Sequence, residues 1–264
     1  MNKLKLGLEA HSVREAFQAE PLETLKRVKE IGYTGVEIPS NLLKSRGEGR
    51  EPLPVSYYKE ALAMAGLECY GILTSWTDVS EENIATTISI GKELGAPLLA
   101  IGSVPIKYIS TTDEAMSAVY RMQEVNRIMR SEGFVTGYHN HESDHTHMIE
   151  GKSFFEHVFD NMPEEFIMFL DTGNAAAGGA DPIELIKKYP NRSPYLHIKG
   201  YSAADGYLAY VGRDDIDWVK LIDVAVRLGA AKVFDIEFGK RGEYDPFERA
   251  KDSFDIINKI NSAK

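Results

Sequence analysis

The stretch FIMFLDTGNAAAGGADPIELIKKYPNRSPYLHIK, residues 166–199, decides the fold because it contains one complete repeating unit of the chain. Two short apolar runs, Phe166–Asp171 and Pro194–Lys199, predict buried strands, and the helical spacing over Ile183–Tyr189 predicts a helix between them. The dipeptide Asp181-Pro182 is typical of a helix N-terminus. A helix that connects two buried strands indicates a parallel sheet.

The same unit recurs along the chain, and eight pairs of strand and helix are predicted. The predicted strands are Leu4–Glu9, Tyr33–Ile38, Glu68–Thr74, Pro97–Gly102, Phe134–His139, Phe166–Asp171, Pro194–Lys199 and Lys232–Glu237. The predicted helices are Leu22–Ile31, Ser56–Ala65, Glu81–Leu94, Thr112–Ser131, Ser153–Phe159, Ile183–Tyr189, Asp217–Leu228 and Pro246–Ile260. Asp245-Pro246 repeats the N-terminal signal, and glycines that favour a left-handed helix end are Gly32, Gly66, Gly95, Gly133 and Gly229.

Eight alternating units in 264 residues predict an α/β fold of the (β/α)8 type, which usually takes about 250 residues. The alternative is an open doubly wound sheet, whose first strand usually leads into a glycine-rich phosphate turn. Here the first strand leads into Ala10-His11-Ser12-Val13-Arg14, which has no glycine. Because the composition does not change along the chain, residues 1–264 are predicted to form a single TIM barrel domain.

The composition is that of an ordinary folded protein. Apolar residues make up 43% of the chain and charged residues 27%, and 40 acidic residues against 30 Lys and Arg give a net charge of −10. Such a charge repels phosphate backbones and anionic lipids. The sequence shows no signal peptide or membrane span, and the single Cys69 lies in an apolar run, as expected of a buried thiol. We therefore expect a cytoplasmic protein that binds neither nucleic acid nor membranes.

Four successive predicted strands end in residues of the kind that bind metal ions, namely His139, Asp171, His197 and Glu237. The carboxyl ends of parallel barrel strands face one mouth, where active sites lie. Two imidazoles and two carboxylates are an ordinary ligand set for Mn, Co, Zn or Mg, and the nitrogen ligands favour the transition metals, with Mn preferred. Because burial of carboxylates without a cation is costly, one divalent ion is predicted at the mouth.

The other strand ends carry residues suited to the walls of a site and to substrate contacts: Glu9, His11, Glu37, Trp76, Gly102 and Ser103. We expect His11, Glu37 and Trp76 to contact substrate, together with Asn174, whose amide suits sugar hydroxyls. Trp76 suits the apolar face of a sugar, or else packs beneath a loop. The remaining histidines carry no catalytic role: His145 and His147 are expected on the surface, where a second cation site is the alternative, and His157 is expected to be structural.

Short motifs at the later strand ends and in the segments after them carry a family resemblance. They are Gly137-Tyr138-His139-Asn140-His141, Leu170-Asp171-Thr172-Gly173-Asn174, Gly179-Ala180-Asp181-Pro182 leading into Arg192, His197-Ile198-Lys199, Val211-Gly212 with Ile216-Asp217-Trp218, and Ile236-Glu237. With these motifs nearly the whole chain resembles the xylose isomerase-like TIM barrels, the family of sugar phosphate isomerases/epimerases.

The resemblance implies one divalent cation held by His139, Asp171, His197 and Glu237, and a sugar or cyclitol as substrate. Many relatives have glutamate in place of His139, and they have a Lys-Asp pair where Lys199-Gly200 stands here. Glu142 is therefore an alternative ligand near the fifth strand. Barrels of this family often form dimers, so a homodimer is a further possibility.

Isomerases, epimerases and inosose dehydratases of this family share one step, the removal of a proton next to a carbonyl, and a divalent cation stabilises the enediolate that results. Glu237 is the predicted base, since strand alternation puts it on one face with Asp235. Epimerases of the family use two metal-bound glutamates, so His139 favours a reaction with one carboxylate base and a different acid. His141 or Lys199 is the expected acid, although Lys199 is equally expected to pair with Asp171 or Asp235.

Two other classes are alternatives. Apurinic endonucleases share the barrel, but they need three metal ions and contacts with DNA, which the charge of −10 disfavours. A non-catalytic sugar-binding or accessory barrel would keep the fold without the chemistry. The presence of all four ligand-type residues argues against that class.

Overall fold

A computed structural model describes residues 4–239 and 244–263, and its centre is a closed barrel of eight parallel strands. The barrel strands, numbered one to eight in chain order, are Lys5–Glu9, Gly35–Pro39, Glu68–Thr74, Leu98–Ile101, Val135–His139, Ile167–Asp171, Tyr195–Ile198 and Val233–Ile236. Strand eight pairs with strand one and closes the barrel, with Val233 beside Lys5. The predicted (β/α)8 barrel is confirmed, and each predicted strand lies within two residues of its observed ends.

Helices surround the barrel, and each buries one face against it. The outer helices are Pro21–Ile31, Val55–Ala65, Ile84–Leu94, Thr112–Ser131, Phe154–Asn161, Pro182–Lys188, Trp218–Arg227 and Pro246–Ser262. Asp181 and Asp245 cap their helices through side-chain oxygens, as predicted. Ser153 and Asp217 also act as N-caps, although they were predicted to be the first helical residues. Residues 81–83 form a turn, so the third of these helices begins later than predicted.

Short elements that the sequence pattern did not indicate follow several strands at the mouth. They are the helical segments Ala10–Val13, Arg14–Ala19, Ser40–Lys44, Ile106–Tyr108, Glu142–Thr146 and Thr172–Ala177, and a two-stranded ribbon formed by Met148–Ile149 and Lys152–Ser153. Each is shorter than the window in which helical spacing can be recognised. These elements fix the backbone just after the strand ends, where the candidate site residues lie.

Four of the five predicted glycine helix ends have positive φ angles, at Gly32, Gly66, Gly95 and Gly133. The prediction for Gly229 is wrong, because the left-handed residue after helix Trp218–Arg227 is Ala230, with φ of 60°. Gly229 instead allows a close approach, since a Cβ at this position would lie 2.8 Å from the carbonyl oxygen of Ala225.

The lower interior of the barrel is shaped by two glycines on neighbouring strands. A Cβ at Gly7 would lie 2.0 Å from Asp235 Oδ1 and 2.7 Å from Tyr70 Cδ2, and a Cβ at Gly35 would lie 2.5 Å from Tyr70 Cζ. The buried side chains of Tyr70 and Asp235 therefore fill the space that the two glycines leave. This layer adjoins the candidate site, since Asp235 lies beside His197 in register on the neighbouring strand.

Two further features bear on the chemistry and on membranes. Cys69 is buried, and burial raises the pKa of its thiol to about 12, as expected of an unreactive cysteine. Within residues 4–239 and 244–263, no helix has both the length and the apolar character needed to cross a membrane.

Candidate active site

The structure brings the four predicted ligand residues together at the carboxyl ends of strands five to eight. One ligand atom from each of His139, Asp171, His197 and Glu237 lies within 4.8 Å of the other three. Asp171 Oδ2 is 4.0 Å from His139 Nε2 and 3.9 Å from His197 Nδ1, and His197 Nδ1 is 2.8 Å from Glu237 Oε2. The prediction that these side chains share one point in space is confirmed.

The polar atoms of this cluster fit a divalent cation. Asp171 Oδ2 is buried and accepts no hydrogen bond of normal geometry among the described residues, although it faces both imidazoles and lies 3.4 Å from Lys199 Nζ. Buried polar atoms are nearly always satisfied in native proteins, so a carboxylate oxygen without a hydrogen bond between two imidazoles is a feature that a bound cation would explain. Two imidazoles and two carboxylates form a donor set suited to a transition metal ion.

Asp171 is held in place by hydrogen bonds to both its backbone and its carboxylate. Its Oδ1 caps helix Thr172–Ala177 by accepting the Asn174 backbone N–H at 2.7 Å, which leaves Oδ2 directed at the cluster. The side chain of Asn140 accepts the Asp171 N–H at 2.8 Å and donates to the Asp171 carbonyl at 3.1 Å. Asn174 in turn donates to the Asn140 carbonyl. The ends of strands five and six are thereby fixed to each other.

His197 is oriented by a carboxylate on its far side. Its Nε2 makes a short contact with Oε2 of Glu37, whose side chain is fully buried. Nδ1 therefore faces Asp171 and Glu237. A histidine that directs one ring nitrogen at a carboxylate and the other at the ligand cluster has the arrangement found at many metal sites. Glu37, predicted to contact substrate, thus lies behind His197.

Lys199 is paired with two carboxylates of the cluster. Its Nζ lies 2.8 Å from Glu237 Oε1 and 3.4 Å from Asp171 Oδ2, and it donates to Asn174 Oδ1 at 3.1 Å. Lys199 therefore pairs with Asp171, one of the two partners expected from the sequence. Its second partner is Glu237 rather than Asp235. Burial alone would lower the pKa of Lys199, but Asp171 and Glu237 outweigh it and raise that pKa well above its usual value.

The neighbours of the two acidic ligands shift their pKa values in opposite directions. Burial raises the pKa of Asp171 to about 7, against the lowering effect of Lys199. Burial would also raise the pKa of Glu237, but Lys199 and His197 outweigh it and hold that pKa well below the usual range. Burial lowers the pKa of His139 well below its usual value, which keeps a lone pair available for a metal.

Two cavities open beside the cluster. The first, of about 350 Å³, is lined by Glu9, His11, His139, His141 and Glu237, with hydroxyl groups of serine and threonine around them. The second, of about 510 Å³, is lined by His141, Glu142, Asn174, Lys199 and Tyr207, among others. His141 borders both cavities, so its ring lies between them. His139 and Glu237 are the two cluster members that line the first cavity.

The remaining predicted site residues fall into different places. His11 lines the first cavity and its Nε2 is 3.1 Å from an Arg14 guanidinium nitrogen. Trp76 is buried beneath the guanidinium of Arg121, 4.1 Å from the ring centroid, and is not among the residues that line the two cavities. Glu142 lies on the wall of the second cavity, with Oε2 3.3 Å from the Tyr207 hydroxyl, and is not a member of the cluster.

The structure corrects the prediction for one of the other histidines. His145 is buried rather than exposed, with Nε2 3.1 Å from the Asn140 side-chain nitrogen and its ring 4.6 Å from that of Phe155. His147 is half-buried, and its Nε2 is 2.7 Å from the Ile109 carbonyl. His157 has the structural role expected of it, since its Nε2 is 2.9 Å from the Ile149 carbonyl. Only the fold around helix Glu142–Thr146 could have revealed that His145 is buried.

With this geometry established, comparison with known proteins identifies the family. The model of the xylose isomerase-like TIM barrel family matches residues 25–260. The chain belongs to this family. The motifs that carried the resemblance in the sequence lie within the matched range, and so do the four residues of the cluster.

Several solved structures of sugar-acting proteins resemble the chain over nearly its full length. A sugar phosphate isomerase/epimerase from Parabacteroides distasonis is 22% identical, with a TM-score of 0.79 over 98% of this chain and 96% of that one. An L-ribulose 3-epimerase is 16% identical (TM-score 0.70; 98% and 95% covered), and a D-psicose 3-epimerase with D-tagatose from Clostridium cellulolyticum is 14% identical (TM-score 0.69; 98% and 99% covered). No curated protein matches the chain. At these identities the likeness establishes the family fold.

Sequence reasoning missed the roles of two residues beside the cluster. Asn140 was part of a motif, but its hydrogen bonds to Asp171 depend on the neighbouring strand. Tyr207 comes from the long segment after strand seven, which carries no periodic signal, and its ring lies 5.1 Å from Lys199 Nζ. Glu9, expected as a wall residue, ends strand one and lines the first cavity.

Proposed function

We propose that this chain is a divalent-metal-dependent enzyme that removes a proton from the carbon next to the carbonyl of a keto-sugar or cyclitol. The observation that carries the proposal is the cluster of His139, Asp171, His197 and Glu237, with ligand atoms within 4.8 Å of one another. The family relatives that are sugar epimerases support a sugar substrate. The reaction completed after proton removal is an isomerisation, an epimerisation or an elimination.

The four cluster residues would hold the cation, for which Mn is favoured over Co, Zn and Mg. When bound, a divalent ion lowers the energy of negative charge that develops on the substrate oxygens. Asp171 and His197 are fully buried, and His139 and Glu237 line the first cavity. We therefore place the reacting carbon of the substrate in the first cavity.

Glu237 is our candidate for the base. It is the carboxylate of the cluster that lines the first cavity, and Lys199 holds its Oε1 at 2.8 Å. The low pKa that Lys199 and His197 impose keeps Glu237 ionised, which is the form that a base requires. The other cluster residue that lines the first cavity is His139, which is not a carboxylate. The cluster therefore offers one accessible carboxylate base rather than two. This asymmetry favours aldose–ketose isomerisation or β-elimination over a symmetric exchange between two carboxylates.

The proposal is tested by proton exchange in deuterated water with a panel of keto-sugars and inososes. The protein is stripped with a chelator and reloaded with Mn²⁺, and a parallel sample receives Ca²⁺, which prefers six to eight oxygen ligands and is a poor match for two imidazoles. We expect deuterium at the carbon next to the carbonyl of one substrate with Mn²⁺, and none in the chelated or Ca²⁺ samples. Stoichiometric Mn²⁺ binding without exchange on any substrate would instead favour a non-catalytic sugar-binding barrel.

A further inference from the structure

Glu9 is a buried carboxyl group that the proposed reaction does not yet use. It is the last residue of strand one, lines the first cavity with His139 and Glu237, and is only 2% exposed. Neither of its carboxylate oxygens has a hydrogen-bond partner of normal geometry among the described residues. A buried polar group without a partner is rare in native proteins and calls for a ligand or a function.

The surroundings of Glu9 favour its protonated form. Glu37 lies beside it in register on strand two, and Glu237 lies in the same cavity. Burial, with the charges of Glu237 and Glu37, raises the pKa of Glu9 well above its usual value and outweighs the opposing effects of His197 and the His11 backbone N–H. Glu237, by contrast, has Lys199 and His197 as partners. A buried carboxyl group with neither a cation nor a hydrogen-bond partner is most stable in its neutral form, which can donate a proton, whereas the Glu237 carboxylate is bound by Lys199 and His197.

Of the two acids expected from the sequence, Lys199 is less well placed than Glu9. The Lys199 ammonium is held by Glu237, Asp171 and Asn174, and it lines the second cavity rather than the first. His141 borders both cavities, so it is the direct rival of Glu9. His141 is accordingly the variant against which Glu9 is compared below.

We propose that Glu9 is the general acid of the site, donating a proton to the substrate in the first cavity while Glu237 removes one. The assignment rests on the proposed function. Glu237 takes the proton from carbon, and the electron pair of the broken C–H bond forms a carbon–carbon double bond. In an isomerisation Glu9 protonates the carbonyl oxygen, and in an elimination it protonates the hydroxyl that leaves as water. After this step Glu9 is a carboxylate and Glu237 a carboxylic acid, so the charge of the pair is unchanged. In an isomerisation Glu237 then returns its proton to the former carbonyl carbon, and Glu9 takes the proton of the hydroxyl on the neighbouring carbon, which becomes the new carbonyl. In an elimination Glu237 releases its proton to solvent and Glu9 regains one from solvent.

Glu9→Gln removes the transferable proton while it keeps the shape of the side chain. In the Mn²⁺-loaded protein we expect kcat to fall about a hundredfold or more, the range typical of a lost general acid, with KM and Mn²⁺ affinity changed by less than about threefold. The loss of rate at high pH, where Glu9 ionises, should disappear from the kcat profile. Glu9→Asp should recover part of the rate. The matched control is Glu30→Gln on the exposed face of helix Pro21–Ile31, which should behave as wild type.

An infrared measurement tests the same assignment without a substrate. The difference spectrum of wild type minus Glu9→Gln, both loaded with Mn²⁺ at pH 7, should contain the C=O stretch of a protonated carboxyl group, and the spectrum of wild type minus Glu30→Gln should not. Absence of this band overturns the proposal, as does a Glu9→Gln kcat within threefold of wild type, or an alkaline limb that is lost in His141→Asn instead. If wild type itself exchanges no substrate proton, the proposed function fails and the role of Glu9 fails with it.

Discussion

The two halves of the barrel mouth are organised in different ways. After strands five to eight, the cluster side chains contact one another, and their charges are matched by Lys199 and His197. After strands one to four, Ser40 and the Ser75 backbone are bound to Asp78, but Glu9 has no hydrogen-bond partner of normal geometry among the described residues. In the first half the cluster side chains surround one point that suits a cation, whereas in the second the carboxyl group of Glu9 lines a cavity that suits a substrate. The difference separates the two roles that we propose for the site, which are cation binding and proton donation to the substrate.

The largest effect is expected in the half after strands five to eight. Asp171→Asn keeps the helix cap, because asparagine is an equally good N-cap, but it replaces an anionic ligand with a neutral amide. We expect Mn²⁺ affinity to fall on the order of a hundredfold or more, since even outer residues of metal sites cost 10–100-fold when they are changed. Titration calorimetry measures the affinity.

The companion variant for that measurement is Glu142→Gln, which changes the alternative ligand from the same region of the mouth. Glu142 lies outside the cluster, so its replacement should leave Mn²⁺ affinity within about twofold. The reverse ranking of the two variants would assign the metal to a different set of residues in this half of the mouth.

An intermediate effect is expected from pH. Burial raises the pKa of Asp171 to about 7, so a cation must displace a proton from this carboxyl group at lower pH. Glu37 and Glu237 raise the pKa of His197 despite its burial, so a cation must also displace the proton of His197 Nδ1. Mn²⁺ affinity should therefore rise with pH, by about tenfold per unit for each proton displaced, and the slope should decrease above about pH 7 as Asp171 becomes ionised.

Asp144→Asn is the control for this pH dependence. Burial raises the pKa of Asp144 to about 7 as well, but the carboxyl accepts the His141 backbone N–H and does not belong to the cluster. The slope should persist in this variant. A Mn²⁺ affinity that is constant between pH 6 and pH 8 would contradict the protonation states assigned to Asp171 and His197.

The smallest effect is expected in the half after strands one to four. Trp76→Phe weakens the stacking of the Arg121 guanidinium over the ring, so the free energy of unfolding should fall by about 1 kcal/mol with no change in KM. Denaturant unfolding measures the loss, which should nearly vanish in an Arg121→Gln background. A KM increase of more than about fivefold at unchanged stability would instead make Trp76 a wall of the substrate cavity.

The fold and the cluster of candidate ligands could be predicted from the sequence for the same reason. The apolar runs that predict the strands also locate their ends, and the geometry of a barrel brings those ends together, as it does for His139, Asp171 and His197. Features that depend on neighbouring strands could not be read in this way. The clamp by Asn140 and the isolation of the Glu9 carboxyl arise from residues far away in the chain.

The same limit applies to the direction of a side chain after a strand end. Trp76, which lies beyond the end of strand three, was expected at the substrate but packs against Arg121. Residues beyond a strand end no longer follow its alternation, so the short elements at the mouth set their direction. The prediction of Glu237 succeeded because it directly follows strand eight and continues its alternation.

The two glycines in the lower barrel limit how the protein could be redesigned. Replacing Gly7 or Gly35 with alanine would push a methyl group into Tyr70, and at Gly7 also into Asp235, which lies next to His197 in register. Variants designed to change the substrate range should therefore keep both glycines. Substitutions in the loops at the mouth avoid these clashes, whereas substitutions at Gly7 and Gly35 do not.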